Sequence, residues 1–171
     1  NIWVNKQVNG YYCVRIAGHS VYDKEYLLNY VKPLAYNLFK IRMGHYYSKS
    51  SNCLYLTIAN KSLVFTLKKF GLKSGNKIKN NVGIPSWIFH SEKYLKACIR
   101  GLIDTDGTVC PITGRNYSYI WFKSGIPHLR GSFSKAMKLL GYKIAKWSGK
   151  ETPQTFIGQK SFIRKYYKEI K

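Results

Sequence analysis

Tyr94-Leu-Lys-Ala-Cys-Ile-Arg-Gly-Leu-Ile-Asp-Thr-Asp-Gly107 is the stretch that decides the fold. Its spacing predicts an amphipathic helix ending at Gly107, with Asp104 and Asp106 in the last turn. A helix C-terminus carries partial negative charge and favours Lys or Arg. Two carboxylates there cost stability unless a divalent metal or a basic partner compensates. The chain has only 7 acidic residues, and two of them stand in this turn. Ala97, Gly101 and Thr105 recur every four positions on one face. Such a small-residue stripe lets another helix backbone approach closely, which makes it a candidate helix–helix interface. The plainer reading is a helix packed on its own sheet and closed by a glycine cap.

Charge sets the partner class. The 171 residues hold 29 Lys and Arg against 7 Asp and Glu, a net charge of +22. The excess is not a tail. From Tyr26 to Ser91 there is no acid, and from Gly107 to Lys150 there is none either. A compact body of that charge repels itself unless it meets a polyanion, and nucleic acid is the expected partner. No membrane partner is expected: no apolar run reaches the length of a membrane span, no secretory signal is visible, and no basic amphipathic anchor stands out. Cys13, Cys53, Cys98 and Cys110 lack CxxC spacing, which argues against a zinc site. They read as reduced thiols of an intracellular compartment, whether cytoplasm, nucleoid or an organellar (mitochondrial) matrix.

The two halves repeat one order of elements. Residues 2–8 alternate as a strand, Asn9-Gly10 is a hairpin turn, and residues 11–17 return. A helix is predicted from Asp23 to Lys40, kinked or split at Pro33, with Tyr26, Leu27, Tyr30, Leu34 and Leu38 as its apolar stripe. Residues 43–48 and 53–59 form a second hairpin, and Asn60 or Ser62 caps a short helix closed by Gly71. Residues 72–90 read as a linker between a first repeat (1–71) and a second (91–171). In the second repeat, hairpins at 108–124 and 142–157 flank a helix over 127–140, and a helix over 159–170 closes the chain. The helix that ends in Asp104 and Asp106 stands before the first hairpin of the second half only. The repeat therefore predicts a matching helix upstream of Asn1 or from a second chain.

Gly101-Leu-Ile-Asp-Thr-Asp-Gly107 resembles the signature of the LAGLIDADG family of homing endonucleases and maturases: Gly-Leu-Ile-Asp, one small residue, then Asp-Gly. The resemblance implies an α+β fold of two pseudo-symmetric ββαββα units. Their signature helices pack at the centre, and their antiparallel sheets form a saddle over nucleic acid. It implies that Asp106 binds a divalent metal, Mg2+, that activates water, and that Asp104 is a structural inner acid. Family members often carry Lys at the end of the second strand. The equivalent places here hold His19 and, by loose alignment, Gly125, with Lys123 two residues earlier. Asp106, Lys123 and His19 are thus the candidate catalytic residues.

The candidate binding face follows from residue type without the family. It comprises Lys6, Tyr11 and Arg15 on the first hairpin and His45, Tyr47 and Lys49 on the second. In the other half it comprises Arg115, Tyr117, Tyr119, Trp121 and Lys123, then Lys146 and Lys150. Sheet faces mixing cations and aromatics fit a groove or stack on unpaired bases. Two functions follow. One is a site-specific endonuclease that cuts double-stranded DNA with Mg2+. The other is a non-cleaving binder of structured RNA, as an intron maturase or a structural part of an organellar ribosome or other ribonucleoprotein.

Overall fold

Residues 2–5, 11–111, 114 and 118–170 are described by the computed structural model. They divide into two units, Asn1–Asn76 and Lys77–Lys171. Lys6, the Asn9-Gly10 turn, Arg115 and Tyr117 lie outside the described residues.

In the first unit, β1 (Ile2–Asn5), β2 (Tyr11–His19), β3 (Gly44–Ser48) and β4 (Cys53–Ala59) form an antiparallel sheet in the order β1-β2-β4-β3. Strand side chains alternate between faces, so Leu54, Leu56 and Ile58 point to one side together. They build a core with Leu27, Ala35, Met43 and Leu63, against which Val14 and Ile16 pack. Asn60 caps α2 (Lys61–Lys69), its side-chain oxygen accepting the Leu63 N–H at 2.7 Å.

The helix before β3 departs from expectation. A π-helical stretch, Tyr26–Val31, runs without interruption into α1 (Lys32–Phe39). The Lys32 N–H donates to the Leu27 carbonyl, five residues back. Pro33 has no N–H, and its ring crowds the carbonyl four residues earlier. Widening the preceding turn relieves the clash, and the helix is divided there into a π-helical and an α-helical stretch. The wider turn also rotates the buried stripe. Leu27 and Ala35 are buried and Leu28 and Val31 pack beside them, whereas Tyr26, Tyr30, Leu34 and Leu38 are exposed.

In the second unit, β5 (Gly107–Pro111), β6 (Ser118–Lys123) and β7 (Gln154–Ile157) form an antiparallel sheet in that order. The helices α3 (Glu92–Asp106), α4 (Pro127–Leu139) and α5 (Lys160–Glu169) pack on it through Leu95, Ile99, Ile103, Phe133, Met137, Ile163 and Tyr166. Part of the expected linker belongs here. Ile84 is buried in this core, Ile88 and Phe89 pack against it, and the Ile84 N–H donates to the Ser132 hydroxyl at 3.1 Å.

The strand expected over 142–147 is not a regular strand. The segment is tied to β7 by the Ala145 N–H on the Phe156 carbonyl at 3.0 Å. The Thr155 hydroxyl takes the Ala145 carbonyl at 2.6 Å, so a side chain fills a place in the ladder. Two helix ends match between the units: Lys40 (φ 54) and Gly141 (φ 75) each leave their helix in the left-handed conformation.

Candidate nucleic-acid interface

Residues paired across a sheet share a face. In the first unit Val14 lies opposite Ile58 and Ile16 opposite Leu56, on the helix side. Arg15 lies opposite Thr57 and Ala17 opposite Tyr55, on the open side. Tyr11, two pleats along from Arg15, shares that side. Its phenol is held above its ordinary pKa chiefly by a hydrogen bond with the Cys13 thiol. Tyr46 faces Tyr55 directly, and their rings stack at 5.0 Å with 17° between planes. The Arg15 guanidinium lies 5.7 Å from the Tyr46 ring centre and 5.3 Å from that of Tyr55.

The same parity moves two expected residues off this face. His45 pairs with Leu56 and Tyr47 with Leu54, so both point to the helix side. Lys32 of α1 approaches His45, Nζ to Nδ1 at 3.4 Å. A slip of one residue in a strand turns every side chain over, and Tyr46-Tyr47 is a pair whose parity residue type cannot settle. Lys49 is exposed in the β3–β4 turn.

In the second unit Ile120, Phe122, Thr155 and Ile157 face the core. Tyr119, Trp121 and Lys123 therefore take the open face, joined by Phe156 and Gln154 of β7. The rings touch one another: Tyr119–Trp121 at 6.1 Å, Tyr119–Phe156 at 4.9 Å and Trp121–Phe156 at 4.7 Å. Gly158 makes room for them, since a Cβ there would lie 2.6 Å from the Tyr119 ring and 2.8 Å from that of Phe156. Tyr46, Tyr55 and Phe156 were missed in the sequence because only strand register assigns them a face. Lys146 and Lys150 are exposed on the segment before β7.

The helix α3 buries Leu95, Ile99 and Ile103 and exposes Ala97, Gly101 and Thr105. The Thr105 hydroxyl donates to the Gly101 carbonyl at 2.9 Å, and a Cβ on Gly101 would meet nothing within 4 Å. Asp104 is compensated from its own helix, by Arg100 at 3.5 Å. Asp106 is exposed and makes no ion pair among the described residues. Gly107 is no left-handed cap. Its backbone is extended (φ −104, ψ 174), and the helix passes straight into β5. What position 107 requires is space: a Cβ would lie 2.5 Å from the Ile103 carbonyl oxygen and 2.9 Å from that of Trp121.

Gly107 pairs with Phe122, so Asp106 and Lys123, each one residue from that pair, come to the same end of the sheet. Lys123 is the last residue of β6 and faces Gln154, as His19 ends β2 and faces Cys53. Lys123, not Gly125, therefore matches His19. The His19 ring is engaged locally. Its Nδ1 accepts the Val21 and Tyr22 N–H groups at 3.2 and 3.3 Å, while the Asp23 carboxylate accepts the His19 N–H at 2.7 Å. These bonds cap the turn into the first helix, and an accepting Nδ1 places the neutral ring's proton on Nε2.

Among the described residues no group of three His, Cys, Asp or Glu is placed to hold a metal ion. A lone exposed carboxylate still suits a hard cation such as Mg2+, which is held by one or two carboxylates and completes its shell with water and phosphate oxygens. Among the same residues no helix is long and apolar enough to cross a membrane.

No protein-family model matches the sequence, and no curated protein matches it. Solved structures do. Mesophilic variants of the homing endonuclease I-DmoI superpose with a TM-score of 0.67 at 13% identity, covering 99% of this chain and 87% of that one. I-DmoI in complex with DNA and Ca gives 0.67 at 13% identity, covering 99% and 81%. I-DmoI with DNA and Mn gives 0.64 at 12%, covering 98% and 85%. At such identities the likeness is one of fold: the chain has the α+β fold of the LAGLIDADG homing endonuclease I-DmoI.

Proposed function

We propose that the chain binds nucleic acid through the open faces of its sheets and serves in the site-specific hydrolysis of double-stranded DNA, with a divalent metal at Asp106. The observation that carries the reading is Asp106 itself: an exposed carboxylate that makes no ion pair among the described residues, at the end of a signature-like helix, at the same end of the sheet as Lys123, in a chain of net charge +22. When bound there, a divalent metal lowers the pKa of water and offsets charge on the phosphate. Asp106 holds and orients it. Lys123 brings its ammonium to the backbone of the same strand, and Arg15, its guanidinium set against Tyr46 and Tyr55, contacts base edges or phosphates. His19 serves as a helix cap in this reading and takes no part in proton transfer.

The neighbours are described with DNA and with Ca, Mn or Mg, which supports a divalent cofactor and a DNA partner for this chain. Asp106→Asn should abolish cleavage of duplex DNA while leaving the dissociation constant within about twofold, since the carboxylate reaches the phosphate only through the metal and its loss removes one exposed ionic link. A mutant that still cuts sinks the assignment of Asp106.

A second reading is favoured by one observation, the single acid-bearing signature helix among the described residues. The chain then binds structured RNA without cutting, as a maturase or ribonucleoprotein component. RNA affinity unchanged by chelator, with no nicking of any duplex, is the outcome that selects it.

A further inference from the structure

We propose that the open face of the second sheet is a stacking platform for the unpaired bases of a single-stranded nucleic acid. Three rings make that face: Tyr119 and Trp121 of β6 and Phe156 of β7, with centres 4.7–6.1 Å apart. Each is half-buried, held by the other two. Gly158 permits the arrangement, because any side chain there would displace Tyr119 and Phe156. The platform is built by register, not by chance exposure.

The contrast with the first sheet gives the face its meaning. There, the Arg15 guanidinium lies against both Tyr46 and Tyr55, so a cation of the chain itself already engages those rings. Among the described residues, no cation lies over Tyr119, Trp121 or Phe156. Both sheets belong to one strongly basic protein, and among the described residues the rings of the second carry no such cation.

Charge identifies that partner as a polyanion. Lys123 lies on the same face two residues beyond Trp121, and Lys146 and Lys150 are exposed on the segment before β7. No acid occurs from Gly107 to Lys150. A duplex buries the faces of its bases and offers edges, which are read by hydrogen-bonding side chains. Phe156 has no such group. An unpaired base offers a π-face of any sequence, and rows of aromatic rings flanked by lysine suit it. RNA and single-stranded DNA share this chemistry. The inference rests on the nucleic-acid binding of the proposed function, with which it shares this face and Lys123, but not on cleavage at Asp106.

The test uses the full chain and three fluorescein-labelled oligomers of ten units: oligo(dT), oligo(U) and an abasic phosphodiester of the same length. The expected result is that a base-bearing oligomer binds roughly tenfold or more tighter than the abasic one. Trp121→Ala should remove most of that difference and Trp121→Phe should restore it, with the salt slope of binding unchanged because no charge is altered. Preference for oligo(U) identifies RNA as the source, and preference for oligo(dT) identifies DNA. Equal affinity for the abasic oligomer overturns the proposal, and so does a folded Trp121→Ala that binds like the wild type. The abasic comparison is made on the unaltered protein and decides the matter even where Trp121→Ala does not fold. Absence of duplex cleavage counts against the nuclease reading alone.

Discussion

A methyl group added at position 107 would sit 2.5 Å from the Ile103 carbonyl oxygen and 2.8 Å from the Ile103 Cα. These are backbone atoms of the helix that carries Asp106, and they cannot swing aside. Gly107→Ala should therefore cost about 1–3 kcal/mol, the usual range for overpacking, and lower Tm by about 2–4 °C per kcal/mol. Thermal unfolding followed by circular dichroism measures it, and an unchanged Tm would show that helix and strand part easily. Tyr142 and Tyr166 give a second residue-scale expectation. Both are buried in the second core, and neither hydroxyl has a hydrogen-bond partner among the described residues. Burial raises the Tyr142 phenol from 10.0 to about 12, with a smaller push from Glu169, and raises Tyr166 further by burial and by Asp104. The fold therefore favours the neutral rings. Their contribution is fully present below pH 10.0, where the unfolded phenol ionises; that of Tyr142 is lost as pH climbs toward about 12, and that of Tyr166 at higher pH still. Stability by urea titration should fall over that window, and the fall should be shallower in Tyr166→Phe.

The first helix shows what an element does with a residue that does not suit it. Proline inside an α-helix normally kinks or breaks it. Here the turn before Pro33 widens, the chain continues, and the buried stripe moves to Leu27 and Ala35. At the start of the same helix, His19 and Asp23 satisfy three backbone N–H groups between them. His19→Ala leaves two of these without their acceptor and should cost about 1 kcal/mol, as loss of an N-cap does. The expected signature is a lowered Tm with the metal dependence of any cleavage unchanged. A variant with wild-type Tm but altered metal response would return His19 to the catalytic list. The segment over 142–147 fails as a strand for a comparable local reason: the Thr155 hydroxyl holds the Ala145 carbonyl that a ladder N–H would otherwise take.

For the whole molecule, a net charge of +22 makes ionic strength the strongest lever on binding. Each phosphate neutralised contributes about 0.9 to the slope of log affinity against log salt for a duplex and about 0.7 for a single strand. Anisotropy titrations on non-specific DNA should show a steep linear decline, and Lys123→Ala should reduce the slope by about one contact. A flat salt response would mean that the basic surface is not the binding surface.

What the sequence determined by itself was the part written in local pattern. The run from Gly101 to Gly107, the alternation of the strands, the repeat of element order and the excess of lysine lead to an α+β, LAGLIDADG-like fold and to the expectation of a polyanionic partner, because periodicity and charge survive without knowledge of distant neighbours. What only the tertiary structure decided was the side each residue faces. Tyr46 rather than Tyr47, Phe156 beside Trp121, Arg15 laid across two tyrosines, and Leu27 and Ala35 in place of the longer stripe all depend on register between strands or on the phase of a helix after a widened turn. Gly107 and Gly158 belong with them, since their need is for space beside residues remote in the chain or one turn away. A shift of a single residue in pairing reverses a face, and pairing is set by long-range packing that no short stretch of sequence contains.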